Sequence, residues 1–323
     1  MDATGRTTCS GLACLLATLC LTGPASAQTD LSGEWRPLVH EDIGHRVDER
    51  AAAGPGAGAG AGGPRIGDYT GLPINDAARL KADSYDPRIW AAREHQTIVH
   101  PGAYWVHGAG GMRISKIIDS ASRGALGFRI YRVGAPGSTT REIWMDGRSH
   151  PPAYAAHTWQ GFSTGQWIGD SVSARTTHLK AGWIRRNGVP ASDEATLSEH
   201  ITRHGNYLTI TRIVDDPVYL DEGLVTSSTW VLDPRQQLAE PQRGEIVDEI
   251  PGLPAAFVPH FLPGANTQLH EFAERLGLPF EASRGGTETM YPEYAAALKR
   301  LMDANQGAAA PHRPSQGARS GNR

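Results

Sequence analysis

A run of short segments in which apolar and polar residues alternate, between Met112 and Leu232, most strongly limits the fold of this chain. Turn dipeptides such as Asp146-Gly147 and Gly205-Asn206 bound these segments, and no helical crossover separates them. Short links of this kind join antiparallel strands, and a long meander must close or be covered because open edges invite aggregation. The sequence therefore predicts a mainly β fold, an antiparallel meander closing into a barrel. Its strands are expected at Met112–Asp119, Leu126–Val133, Arg141–Met145, Ser171–Leu179, Ala195–His204, Tyr207–Val214 and Ser227–Leu232.

Helical patterns lie on both sides of this β region. The first spans Pro73 to Asp83, with Asn75 as its N-cap. Two C-terminal helices are expected near Asn266–Leu276 and Tyr291–Asp303, and Pro292 suits the first turn of the second. The 38 Gly and 22 Pro residues exclude a long helical bundle or coiled coil.

The first residues have the three parts of a secretory signal. Arg6 provides the positive end, Gly11–Leu21 is an apolar run, and Ala25-Ser26-Ala27 is a small-x-small cleavage pattern. The apolar run is shorter than the ~20 residues that span a bilayer. We therefore expect cleavage before Gln28, a periplasmic or secreted protein, and no membrane span after cleavage.

The positions of the cysteines and the net charge of the chain exclude several kinds of functional site. All cysteines (Cys9, Cys14 and Cys20) lie in the expected signal, so the mature chain would have no disulfide, thiolate nucleophile or cysteine-bound metal. The formal net charge of −3 is too balanced for a surface that binds nucleic acid through its phosphates. We expect no nucleic-acid partner.

The mature chain is predicted to be one domain. Residues 1–27 form the signal peptide, residues 28–305 form the barrel with its C-terminal helices, and residues 306–323 form a polar tail without order. Residues 51–63 are almost entirely Ala and Gly, which predicts a flexible insertion in the barrel domain.

The hairpin around Gly205-Asn206 can be predicted residue by residue. A two-residue loop pairs His204 with Tyr207, Ile201 with Ile210 and, as opposite charges, Glu199 with Arg212. One face is then aliphatic at its centre. The other face, which carries polar side chains, either meets water or lines a cavity in the barrel; its residues are His200, Thr202, His204, Tyr207, Thr209 and Thr211.

Metal and cofactor motifs are weak. His200 and His204 have the spacing of a helical zinc pair, but on a strand four residues span ~13 Å, so both cannot bind one ion. Gly161-Phe162-Ser163-Thr164-Gly165 matches a nucleophile-elbow pattern without the flanking strand and helix, which favours a Gly-rich loop. No dinucleotide-binding fingerprint is present. We predict neither a metal nor a cofactor.

One region concentrates indole, imidazole and guanidinium side chains. Such groups suit an apolar pocket with a few polar contacts, and adjacent arginines can hold a carboxylate. The competing interpretation is that the tryptophans pack the core and the arginines are solvated. The candidate residues are Trp144, His150, Tyr154, His157, Trp159, His178, Arg185, Arg186 and Asn187.

Several stretches resemble known proteins. Asp30–Trp35 resembles the Gly-x-Trp entry strand of lipocalin-like (calycin-type) barrels. The segments Trp144–Pro152, His157–Ser163 and Thr177–Lys180, with Arg185–Gly188, resemble one family of exported and mostly uncharacterised bacterial proteins, over most of the mature chain. Further stretches of this resemblance are Asp215–Leu220, Pro259–Gly264 and Thr289–Tyr294. The chain is also similar to cofactor-independent enzymes that remove CO₂ or formaldehyde from lignin-derived phenylcoumaran dimers.

The resemblance implies a lipocalin-like barrel and specific roles. A small aromatic molecule would be the partner, and loss of a benzylic substituent would need a base, a cation for the oxyanion and a dry aromatic pocket. His178, His200 or Tyr154 would be the base, and Arg185 or Arg186 would hold the anion. Trp144, His150, His157, Trp159 and Asn187 would complete the substrate site.

Three functions remain open from the sequence. The first is an exported carbon–carbon lyase acting on a phenolic aromatic dimer. The second is a periplasmic lipocalin-like carrier of an apolar or aromatic ligand. The third, weaker than both, is a metal-dependent hydrolase that uses some of the 13 histidines.

Overall fold

The computed structural model describes residues 29–38, 66–86, 99, 101–107, 110–132, 139–185, 187–238, 252–254 and 257–308. The helices and strands below all belong to the unit Leu31–Arg323. The expected signal segment 1–27, the Ala/Gly insertion 51–63 and Arg186 lie outside the described residues.

Nine strands of the described chain form a closed barrel, in the spatial order β1-β11-β10-β9-β6-β5-β4-β3-β2. Two further short strands, β7 and β8, pair separately with each other. The prediction of a mainly β meander that closes into a barrel is confirmed, and the architecture is compatible with a lipocalin-like fold. The strands are β1 (Gly33–Pro37), β2 (Met112–Ile118), β3 (Ala125–Arg132), β4 (Thr139–Trp144), β5 (Phe162–Ile168), β6 (Ser171–Thr177), β7 (Gly182–Trp183), β8 (Pro190–Ala191), β9 (Thr196–His204), β10 (Tyr207–Asp215) and β11 (Leu224–Leu232).

The β9–β10 hairpin has the predicted register. His204 faces Tyr207, Ile201 faces Ile210 and Glu199 faces Arg212. Gly205 takes a φ of +59°, which suits a tight hairpin turn that a β-carbon would strain. His200 and His204 are exposed, so the polar face of the hairpin points away from the barrel interior.

The region after β4 departs from the predicted meander. Phe162–Ile168 is strand β5, so the expectation of a Gly-rich loop at Gly161–Gly165 is wrong. Ser163 is 1% exposed and its Oγ lies 2.8 Å from Thr176 Oγ1 inside the barrel, which leaves no room for a nucleophile elbow. Strands β4 and β5 are parallel, whereas an all-antiparallel sheet was expected. A parallel pair needs a long connection, and residues 145–161 provide it.

Three α-helices are present in the described chain: α1 (Asp76–Asp83), α2 (Glu271–Leu276) and α3 (Pro292–Ala308). The Asn75 side chain accepts from Ala78 N at 3.0 Å, which confirms it as the N-cap of α1. Pro292 begins α3 as predicted. Helix α3 continues past Gln306, where the tail was expected to begin. No helix among these residues is long and apolar enough to cross a membrane.

Large apolar side chains fill one part of the barrel. Trp35 and Trp230 are both fully buried there, and the Trp35 indole donates to Leu31 O at 3.1 Å. Burial of an aromatic side chain of this size typically stabilises a fold by about 1.5–3 kcal/mol. The other members of this apolar cluster are Leu31, Met112, Ile114, Phe128, Ile130, Ile143, Val172, Ala174, Ile201, Leu208 and Ile210.

A second apolar cluster, which we call the cap, covers the other end of the described strands. Leu197, Val214 and Leu224 contribute to it from β9, β10 and β11. Helix α1 and the neighbouring loops pack against them through Tyr69, Leu72, Ile74, Ala78, Ala82, Ala103, Leu179, Ile184, Val189, Ala191 and Leu220. The Tyr69 hydroxyl donates to Asp83 at 3.0 Å, and Arg284 pairs with the same carboxylate at 2.5 Å, so the C-terminal segment is tied to α1.

Between the two apolar clusters lies a layer of buried charge. On β10, Arg212 separates Val214 of the cap from Ile210 of the apolar cluster. Arg212 is 0% exposed and Glu199 on β9 is 2% exposed. The interior of the barrel therefore contains the Glu199–Arg212 pair that the hairpin register predicts, next to the aliphatic centre of the same face.

Candidate functional site

The parallel β4–β5 pair determines where the histidines lie. The connection 145–161 must return along the barrel before β5 starts, and it carries His150 and His157 with it. His178 directly follows β6, which is the antiparallel neighbour of β5. The imidazoles of His157 and His178 lie 5.2 Å apart, and Thr177 links His178 to His150. The structure thus brings together three of the predicted site residues.

Two threonines connect two of these histidines in one hydrogen-bonded chain. His150 Nε2 lies 2.8 Å from Thr164 Oγ1, and His150 Nδ1 lies 2.8 Å from Thr177 Oγ1. Thr177 Oγ1 is also 2.8 Å from His178 Nδ1, and His178 Nε2 is 3.0 Å from the Pro152 carbonyl oxygen. The chain therefore runs from Thr164 on β5 to the carbonyl of Pro152.

The Pro152 carbonyl, at one end of this hydrogen-bonded chain, determines the direction of each hydrogen bond when both imidazoles are neutral. The Pro152 carbonyl can only accept, so His178 Nε2 carries its hydrogen and His178 Nδ1 accepts from Thr177. Thr177 then accepts from His150 Nδ1, which leaves His150 Nε2 as the acceptor of the Thr164 hydroxyl. His150 Nε2 is consequently a basic nitrogen coupled to the Thr164 hydroxyl.

His178 has an unusual backbone that supports this arrangement. Its φ of +58° lies in the left-handed region, which few residues other than glycine adopt. Such a conformation costs on the order of 1 kcal/mol and persists only where surrounding contacts hold it. The two hydrogen bonds of the His178 ring are contacts of that kind.

His157 offers a second base. Its Nδ1 lies 2.9 Å from the Leu179 carbonyl oxygen and must donate to it. Its Nε2 has no hydrogen-bond partner among the described residues, and the side chain is half-buried. His157 is therefore better suited to accept a proton directly than His178, whose two nitrogens are both engaged.

The pKa of His150 is lowered by its surroundings. Burial is the main cause, and the charges of Arg175 and His178 act in the same direction. The folded protein thus binds this proton more weakly than the unfolded chain, so the stability from neutral His150 is present above a pH of about 6.5 and is lost as the pH falls.

We expect chemical denaturation to show a free energy of unfolding that falls as the pH is lowered through 6.5. His150→Gln removes the titrating group and should reduce the slope of this dependence. His204→Gln, at an exposed position on β9, should leave the slope unchanged. An unaltered slope in His150→Gln would contradict the assignment.

A groove with a volume of about 670 Å³ lies beside the hydrogen-bonded chain that runs from Thr164 through His150 to His178. Strands β5, β6 and β9 line it together with Ile213 of β10, and Met145, Gly147 and Arg148, which follow β4, border it. Thr164 belongs both to the groove wall and to the hydrogen-bonded chain. The groove is therefore in hydrogen-bond communication with His150.

Cations and aromatic surface border the groove. The Arg148 guanidinium lies 3.7 Å from the centroid of the Trp144 ring and pairs with Asp146 at 2.5 Å. Arg175 is exposed on β6 and Trp167 is half-buried on β5, and both line the groove. This combination suits a polar or anionic molecule with an aromatic ring.

The other predicted site residues are distributed between the groove and more distant parts of the structure. Tyr154 is 91% exposed at the tip of the 145–161 connection, and His200 lines the groove from β9. The half-buried Trp159 ring lies under Lys180 Nζ at 4.9 Å. Arg185 and Asn187, 5% and 0% exposed, lie between β7 and β8, where Asn187 Nδ2 donates to Asp68 O at 2.7 Å.

Sequence reasoning did not identify Thr164, Thr177 or Arg175 as site residues. Thr177 adjoins a predicted histidine, and Thr164 was assigned to a loop. Their alternation with the buried Ser163 and Thr176 is the signal that places both on the outer face. In the described part of the chain, no group of three or more His, Cys, Asp or Glu residues is arranged to hold a metal ion.

Comparison with known proteins gives no family assignment. No protein-family model matches the chain, and no curated protein shows significant similarity to it.

Proposed function

We propose that this protein is an exported, cofactor-independent carbon–carbon lyase that acts on a phenolic aromatic molecule in the outer groove. The observation that carries the proposal is the hydrogen-bonded chain from Thr164, in the groove wall, to His150 and onward to His178. It gives a hydroxyl group in the groove a path to a neutral imidazole. The resemblance to enzymes acting on lignin-derived dimers supplies the substrate class.

The first step is proton transfer from the phenol. The substrate hydroxyl gives its proton to Thr164 Oγ1 while Thr164 passes its own to His150 Nε2. The low pKa of His150, caused by burial and by Arg175 and His178, keeps the imidazole neutral and ready to accept at neutral pH. Arg175 and Arg148 border the groove and stabilise the phenolate.

Cleavage then needs no external electron acceptor. In a phenylcoumaran, electrons from the phenolate open the benzylic carbon–oxygen bond, which gives a quinone methide and a second phenolate. That phenolate takes the hydroxymethyl proton, formaldehyde leaves, and the electrons of the broken carbon–carbon bond form the stilbene double bond. The first ring becomes a phenolate again and recovers its proton from His150. With a carboxylate in place of the hydroxymethyl group, CO₂ leaves directly, and the second phenolate takes its proton from water.

In the alternative function, as a carrier, the protein would bind its ligand in the same groove without converting it. A ligand inside the barrel would compete with Trp35, Trp230 and the apolar side chains around them, which occupy the described interior. The outer groove is open to either function. Product formation separates the two.

The test is incubation of purified protein with a panel of phenolic lignin dimers, with stilbene absorbance as the readout. Each dimer is paired with its O-methylated analogue, which has no phenolic proton to give. We expect turnover of at least one phenolic dimer and none of its methylated partner. Binding without product would support the carrier, and equal turnover of both partners would refute phenol deprotonation.

A further inference from the structure

The floor of the outer groove consists of two rows of side chains, each with one residue from three adjacent strands. The first row contains the register partners Thr164 on β5, Arg175 on β6 and Ser198 on β9. The second row, two positions along the same strands, contains Gln166, Ser173 and His200. All of these residues line the groove. Because residues two apart on a strand share a face, both rows point to the same side of the sheet.

Most of the polar groups of this floor have no partner in the protein. Apart from Thr164, the side chains of both rows make no hydrogen bond or ion pair with the described residues. The next pair along β6 and β9 behaves differently, since the hydroxyl oxygens of Ser171 and Thr202 lie 2.7 Å apart outside the groove. The donors and acceptors of the groove floor are therefore available to a ligand.

Arg175 is the central member of the first row, and it is exposed in the groove. No acidic side chain of the described residues lines the groove, and none forms an ion pair with Arg175. The other guanidinium of the groove, that of Arg148, is already paired with Asp146 at 2.5 Å. Arg175 can therefore present two parallel N–H groups to a planar anion with two oxygens, as a carboxylate is.

The first row also sets a length for the ligand. Strand β6 lies between β5 and β9, so two strand spacings place the backbones of Thr164 and Ser198 about 10 Å apart. The parallel partner of Thr164 on the other side is Trp144, whose ring contacts the Arg148 guanidinium. A phenol at Thr164 thus has Arg148 on one side. An anion between Arg175 and Ser198 would lie on the other side, one aromatic ring and a short chain away.

We propose that Arg175 and Ser198 form a carboxylate-binding subsite of the outer groove, and that the groove takes phenolic acids whose carboxylate is separated from the phenol by the ring and a short side chain. The Arg175 guanidinium would hold both carboxylate oxygens, and the Ser198 hydroxyl would donate to one of them. His200, a diagonal neighbour of Arg175, is within reach as a further donor. The position of the phenol rests on the proposed function, whereas the subsite rests on the strand register and the unpaired guanidinium.

The test measures the binding of para-hydroxyphenylpropanoate, which has a phenol and a carboxylate but no benzylic carbon–oxygen bond to cleave. Calorimetric titration of the purified protein should give one site per chain. The methyl ester should bind about tenfold more weakly, because it cannot form charge-assisted hydrogen bonds with Arg175. The shorter para-hydroxybenzoate should also bind more weakly than the propanoate. No binding of the propanoate, or equal affinity for it and either comparison compound, would overturn the proposal.

Variants locate the carboxylate. Arg175→Gln should bind the acid and its ester equally, since it retains a polar side chain but no charge. Arg129→Gln is the matched control, because Arg129 is an exposed arginine on β3 that pairs with Glu142 and does not line the groove. This control should keep the tenfold preference for the acid. A preference that persists in Arg175→Gln, or that disappears in Arg129→Gln, would refute the subsite.

Failure of the subsite and failure of the lyase function give different results. If the acid binds through Arg175 while no phenolic dimer forms a stilbene, the subsite is supported and the lyase function is refuted. If phenolic dimers form stilbenes while the acid and its ester bind equally, the lyase function is supported and the subsite is refuted.

Discussion

Replacement of Glu199 by glutamine should lower the free energy of unfolding by about 3–5 kcal/mol, because it leaves buried arginines without their counter-charge. Burial alone would raise the pKa of this carboxyl, but Arg141 and Arg212 lower it below its ordinary value. The folded state thus depends on the ionised form. Glutamine keeps the size of the side chain, so the loss reports charge. Denaturant unfolding monitored by circular dichroism measures it.

Glu142→Gln is the matched control. Glu142 pairs with Arg129 at 2.7 Å on the outer face, where both side chains are partly exposed. Exposed pairs of this kind contribute about 0–1 kcal/mol, so the variant should unfold almost like the parent. Equal losses in the two glutamine variants would show that the interior layer is not the buried charge cluster described above.

His150→Gln should reduce turnover of the phenolic substrate by about 10²-fold or more, since general acid–base catalysis contributes roughly that amount. The glutamine amide can still contact Thr164 and Thr177, but it has no basic nitrogen. Substrate affinity should change little because the groove walls are retained. Initial rates and binding constants with the same phenolic dimer separate the two effects.

His204→Gln gives the comparison for that result. His204 is exposed near the end of β9 and does not line the groove. The turnover rate and the melting temperature of the His204→Gln variant should match those of the parent. If His150→Gln turns over substrate as fast as His204→Gln does, the Thr164–His150 path is not the proton path.

Local patterns were sufficient for much of the fold. The Gly205-Asn206 turn and strict alternation gave the β9–β10 register, including the Glu199–Arg212 pair. The N-cap at Asn75 and the start of α3 at Pro292 were also predictable, since capping and proline preferences act within one turn.

Strand β5 was not predicted from the sequence, and the reason is physical. Its sequence contains Gly165 and follows Gly161, and glycine weakens any strand pattern. A β-carbon at Gly165 would lie 2.7 Å from Met145 Sδ. Glycine is therefore required at this position by a close contact across the β4–β5 pair. Such a contact depends on the parallel pairing, which alternation within one strand does not reveal.

The residue types of the candidate site were predictable from the sequence, but the hydrogen bonds that connect these residues were not. His150 and Thr177 are 27 positions apart, and their contact requires the 145–161 connection to fold back over β5 and β6. The charged layer shows the same limit. The sequence predicted the Glu199–Arg212 pair within one hairpin, whereas Arg132 and Arg141 reach it from β3 and β4 only after the barrel closes.

Simultaneous quantification of the stilbene and the one-carbon product in a single reaction tests the central claim most directly. Purified protein treated with a chelator and given a phenolic phenylcoumaran dimer should form one stilbene for each formaldehyde or CO₂ released, with no added cofactor. Stilbene formed without an equal amount of the one-carbon product, or product that appears only after a metal or redox cofactor is restored, would contradict the account.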